Sequence, residues 1–119
     1  MKVAAVTCGS GGQVGMKRND KGKAVARFLT ASTGIPLLRY DYLNNIIEAP
    51  KPYDISLTTS GEWWRFGEHV RATHDKTGIP FVVRYDKYID GVDNAVVGCT
   101  LHTFTQLLEQ YETNLRRGE

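Results

Sequence analysis

Asp41, Glu48 and Asp54 fall in one short stretch of chain, each beside a segment that reads as a strand end or a turn. A divalent cation such as magnesium needs two or three oxygen ligands that converge. Carboxylates on neighbouring strands of a hairpin supply that geometry, and a metal so held can drive phosphodiester hydrolysis. In Asp54-Ile55-Ser56, strand alternation puts Asp54 and Ser56 on one face. The alternative for the same acids is plain solvation at strand ends.

Basic residues form a second constellation. Residues 1–39 hold seven Lys and Arg against the single acid Asp20, whereas residues 40–119 hold eight against twelve acids. Lys17, Arg18, Lys21 and Lys23 gather where a helix is expected to begin, beside a glycine-rich stretch. Amides at a helix N-terminus and neighbouring lysines bind phosphates. Arg39 and Arg84, at the ends of two expected strands, add to the set. Contacts of this kind carry affinity without sequence choice and weaken steeply with salt. A basic first third facing an acidic remainder therefore suggests a phosphate-facing edge. The competing reading is a solvated, lysine-rich helix start.

Other patterns carry less chemistry. Gly9-Ser10-Gly11-Gly12-Gln13-Val14-Gly15 follows an apolar run and raises a nucleotide phosphate loop. It lacks Gly-Lys-Ser/Thr, and no strand-end acid follows about 20 residues on. His69 and His74, five apart, point away from each other on a helix. Cys8 and Cys99 have no metal spacing and read as two buried thiols. Trp64 reads as a partly buried aromatic or, off the core stripe, as a contact for a base or partner.

The elements that position these groups follow from periodicity and punctuation. Lys2–Thr7 reads as an edge strand. A helix is expected over about 20–33 from an Asn19-Asp20 cap, ended by Gly34 and Pro36. Strands are expected over Ile35–Tyr40, Ile46-Ile47, Tyr53–Thr58, Phe81–Tyr85 and Ala95–Leu101. A second helix runs from a Thr59 or Ser60 cap, with Glu62 closing a capping box, to about Lys76. Trp63, Phe66, Val70 and Thr73 form its stripe. Asp90–Asn94 is a turn, and Phe104, Leu107, Leu108, Tyr111 and Leu115 mark an amphipathic C-terminal helix.

The text Thr33-Gly34-Ile35-Pro36 returns as Thr77-Gly78-Ile79-Pro80, each time ahead of an apolar run and an Arg-Tyr-Asp triplet. The helices before the two copies differ, so the repeat reads as convergence on one helix-to-strand joint. Asp41 and Asp86 can then be compared, and only Asp41 precedes a hairpin bearing further acids. That asymmetry places the expected site at the first copy.

At 119 residues, with 41% apolar and 24% charged residues, the chain reads as one globular domain. No apolar run nears the roughly 20 residues of a membrane span. The basic start at Met1–Val6 is too short for a signal segment, which predicts a cytoplasmic protein. The class is α/β, a small mixed central sheet flanked by about three helices.

The order of Lys21-Gly22-Lys23 opening a helix, a strand carrying Arg39, a polar hairpin, Tyr53-Asp54-Ile55-Ser56, a Trp-bearing helix and Ile79-Pro80-Phe81-Val82-Val83-Arg84 resembles a known family. It is similar to the compact Holliday junction resolvases and related phage nucleases of the PD-(D/E)xK class. The resemblance spans residues 17–112 and includes Val97–Leu101 with Phe104, Leu107 and Leu108. It implies a restriction-endonuclease-like fold and magnesium-dependent cleavage of branched DNA by a homodimer matching the two-fold symmetry of its substrate. It also implies catalytic roles for Asp54, Ser56 and Lys51, with Lys51 reaching over from the hairpin. Asp41, Glu48 and Asp54 would hold the metal, and Lys17, Arg18, Lys21, Lys23, Arg39 and Arg84 the DNA. Where that family carries an acid on its first helix, this chain has Ala24-Val25-Ala26, and its acid-x-Lys is here Asp54-Ile55-Ser56. The alternatives are a non-enzymatic module that binds a host protein, or a nucleotide-binding protein using residues 9–15.

Overall fold

A computed structural model describes residues 17–35, 39–50 and 53–118 of the chain. Cys8, the glycine-rich stretch, the expected strand at residues 2–7 and Lys51 lie outside the described residues. Helix α1 spans Arg18–Thr33, and strands β1, β2 and β3 span Arg39–Asp41, Ile46–Glu48 and Ile55–Thr58. A 3-10 turn at Trp63–Arg65 leads into α2, Phe66–Thr77, followed by β4, Phe81–Arg84. A second 3-10 turn at Val92–Asn94, strand β5 at Val96–Gly98 and helix α3 at Leu101–Arg117 complete the order. The five strands form one mixed sheet in chain order β1-β2-β3-β4-β5. Every neighbouring pair is antiparallel except β3 and β4, which run parallel and are joined through α2.

The doubled Thr-Gly-Ile text folds into the same cap twice. Gly34 and Gly78 take left-handed φ values of 73° and 77°, which glycine adopts without a Cβ clash. Their N–H groups donate to the carbonyls of Thr30 and His74. The threonine before each glycine completes the cap. Thr33 Oγ1 donates to Leu29 O and accepts from Ile35 N, and Thr77 Oγ1 does the same between Thr73 O and Ile79 N. Orphan groups at both helix ends are thus satisfied locally.

Successive residues of a strand face opposite sides of the sheet, and the two sides have different covers. Val83, Leu57 and Ile47 join Val25 and Ala26 of α1, with Tyr85 and Ile89, in the main core. Val82 points the other way and is fully buried. Its partner across the ladder, Gly98, lies so close to α2 that an added Cβ would meet Phe66 and Val70 at 2.8 Å. Helices α1 and α2 therefore sandwich the sheet. Gly22 is a second close approach: a Cβ there would lie 2.4 Å from three ring atoms of Tyr40 on β1. Gly22→Ala is expected to lower stability by about 1–3 kcal/mol through this overpacking, despite the better helix propensity of alanine. Thermal unfolding of that variant, with Gly67→Ala on α2 as an uncrowded control, checks the assignment.

Several expectations need correction. Helix α1 starts at Arg18 with Lys17 at its cap position, and Asp20 sits in the first turn, where an acid favours the helix dipole. No capping box forms at Glu62, because a 3-10 turn containing Trp63 precedes α2. Strand β3 begins at Ile55, which leaves Asp54 outside the ladder and outside the alternation that would pair it with Ser56. Leu101 opens α3 instead of closing β5. Cys99 is half-buried with a free thiol, and Trp64 is exposed, stacked on the Arg65 guanidinium at 4.6 Å.

Candidate nucleic-acid interface

The two Arg-Tyr-Asp triplets occupy different places. The first is the whole of β1, at the sheet edge. The second straddles the end of β4, with Arg84 its last residue and Asp86 beyond it. Hairpin register then sorts the acids. Arg39 stands opposite Glu48 and Asp41 opposite Ile46, so Asp41 and Glu48 lie at opposite ends of the β1–β2 ladder.

Each carboxylate has local work. Arg39 Nε and Nη2 donate to Glu48 Oε1 at 2.9 and 2.7 Å. Asp41 accepts from Leu43 N and from the Asn44 side chain, and those bonds, the Asn44 side chain foremost, hold its carboxyl below the usual range. Asp54 is buried and accepts from Ala49 N at 3.1 Å, so it lies beside the Glu48 end of the ladder. Glu48 and Asp54 are brought near each other, and Asp41 is not. Ser56 sits in β3 opposite Val82 and Ile46, on the side of the sheet that α2 covers. Among the described residues, no three His, Cys, Asp or Glu side chains gather as a metal site would require.

The basic residues divide into surface and interior groups. Lys23 and Arg27, one turn apart on α1, lie on one helix face. With Arg39 of β1 they line a groove of about 550 Å³ floored by Ala26 and Tyr40. All three are exposed, and no acid lines the groove. Arg27 was absent from the expected contacts; its four-residue spacing from Lys23 is the signal that marks it. Lys17 is exposed at the start of the same helix, and Arg18 lies 4.6 Å over the Tyr42 ring, clasping α1 to the β1–β2 turn.

Lys21 and Arg84 are interior. Arg84 and Asp86 side chains are each 3% exposed and pair at 2.9 Å. Arg84 Nε also donates to Asp86, its Nη2 donates to the Gly61 carbonyl, and its guanidinium packs 4.3 Å from the Trp63 ring. Burial pushes the Asp86 carboxyl up, but the bonds from Arg84, Tyr88 N and Trp63 together outweigh it and hold the group below the usual range. Lys21 extends over the Tyr85 ring at 5.4 Å. Burial lowers the pKa of its ammonium, and the nearby Asp86 opposes that shift. Near-complete burial removes both cations from contact with a phosphate backbone and makes them part of the packing between α1, β4 and α2.

Tyr40 fixes the groove wall. Its ring abuts Gly22, its hydroxyl donates to Asn45 Oδ1 at 3.2 Å, and burial raises its pKa, with the Arg18 cation working against that shift. The arrangement is thus an aromatic wall with exposed guanidinium and ammonium groups beside it. Such a surface can neutralise a string of anionic oxygens. Comparison with protein-family models, curated proteins and solved structures returns no match for this chain.

Proposed function

We propose that this protein binds DNA by seating backbone phosphates along the groove between α1 and β1, with Lys23, Arg27 and Arg39 as the contacts. The observation that carries the reading is the convergence of three exposed cations from two elements on one groove without a lining acid. Lys17 and Arg18 extend the positive edge along α1. Because these groups meet phosphate oxygens and no base edge, binding is broad in sequence and set by ionic strength.

Glu48 partly neutralises Arg39 by its ion pair. In fluorescence anisotropy with a labelled duplex and a labelled four-way junction, Glu48→Gln is expected to tighten binding by about two- to fivefold. Lys21→Met is expected to leave binding unchanged, because its ammonium is buried. Weaker binding in Glu48→Gln, or no binding of the wild-type protein to either DNA at low salt, contradicts the proposal. Hydrolysis with magnesium would draw on Glu48 and Asp54. The same titration repeated with magnesium and analysed on a denaturing gel reads cleavage separately from binding.

A further inference from the structure

Helix α3 is attached by its polar side. Of its residues only Thr103 is buried, and Gln110 accepts from the Tyr53 hydroxyl. A groove of about 710 Å³ separates this side from His74, Pro80 and Phe81 of the body. The opposite side carries Leu101, Phe104, Leu108, Tyr111 and Leu115, between 47% and 78% exposed. A surface helix ordinarily turns its apolar stripe toward its own core; this one turns it outward. The spacing of the five residues is three, four, three, four, the alternation that makes one helix pack along another.

We infer that this seam is an interface with a second copy of the chain, α3 against α3 in antiparallel orientation about a two-fold axis near Leu108. Among the described residues, α1 and α2 present no comparable stripe: Val25, Ala26 and Val70 are buried in their own domain, and Phe28 of α1, 39% exposed, stands alone. The seam is about 21 Å long at 1.5 Å per helical residue. A second α3 has the right length and the right repeat. Antiparallel packing keeps the Arg116 and Arg117 pairs of the two copies at opposite ends, and sets each helix dipole against its opposite.

The area is adequate. Taking roughly 150–250 Å² for a fully exposed large side chain, the five expose on the order of 600 Å² per copy. Two copies then approach the lower end of a stable interface, about 1,200 Å² in total.

Sedimentation velocity on the full chain tests the inference. The wild-type protein is expected to reach twice the 13.3 kDa of one chain at about 100 μM and to dissociate on dilution. Leu108→Glu, at the axis, is expected to raise the dissociation constant at least about 100-fold, because two carboxylates would meet in an apolar seam. Its melting midpoint at about 1 μM should match that of the wild type, since Leu108 is exposed in the single chain. A wild-type monomer at about 100 μM overturns the inference, as does a dimer unaffected by Leu108→Glu. A fall in the midpoint of monomeric Leu108→Glu also overturns it, by showing that the chain covers its own seam. None of these outcomes depends on whether the protein binds DNA.

Discussion

Asp86→Ala is expected to cost about 3–5 kcal/mol, the range for removing one partner of a buried ion pair. The substitution strands the Arg84 guanidinium, 3% exposed, with the Gly61 carbonyl and the Trp63 face as its remaining contacts. It also takes the acceptor from Tyr88 N. Against a total stability of about 5–15 kcal/mol for a small domain, the melting midpoint should fall by roughly 12–20 °C. Arg84→Met with Asp86→Leu removes both charges and keeps apolar volume, so most of that loss should return. Calorimetry on the two variants and the wild type reads the difference. If Asp86→Ala melted within a few degrees of the wild type, the pair would not be the strut that the fold implies. The pH dependence has a fixed sign. The folded Asp86 carboxyl lies below its unfolded value, so its stabilisation is complete above about pH 4 and lost as pH falls through the lowered value. Asp86→Ala should flatten that acid limb.

Reversing the groove charges together is the second large effect. Lys23→Glu, Arg27→Glu and Arg39→Glu exchange three cations for three anions at the proposed phosphate track. A loss of DNA affinity on the order of 100-fold or more is expected at low salt. Folding should be nearly untouched, because all three side chains are exposed and the Arg39–Glu48 surface pair is worth about 0–1 kcal/mol. Circular dichroism and the melting midpoint establish that the variant is folded before binding is compared. An affinity within a few fold of the wild type would move the contact surface away from α1 and β1.

Much of the architecture was legible in the sequence, because helix ends and buried strands leave local marks. Gly34 and Gly78 located the ends of the first two helices, the apolar run at Phe81 located β4, and the mixed sheet with three helices followed from the order of elements. Boundaries shifted where a tertiary contact, and not a propensity, decides them, as at the 3-10 turn before α2 that seats Trp63 over Arg84. The candidate site was less legible for a different reason. Which acids and cations meet depends on hairpin register and on burial, and neither is written in residue type. Asp41 and Glu48 look like neighbours in sequence, yet the β1–β2 register separates them. Lys21 and Lys23 look equivalent, yet two residues on a helix turn one inward over Tyr85 and the other outward into the groove. The outward seam of α3 reads in sequence as an ordinary amphipathic helix, since periodicity reports that an apolar face exists and not what it faces.

The salt dependence of DNA binding tests the central claim most directly. Each phosphate neutralised contributes about −0.9 to the slope of log affinity against log salt concentration. Three groove contacts predict a wild-type slope of about −2.7 or steeper, with Lys17 and Arg18 able to add to it. The triple charge-reversal variant should show a slope shallower by about that amount. Equal slopes for the two proteins, or a wild-type slope near zero, would contradict phosphate binding in the groove between α1 and β1.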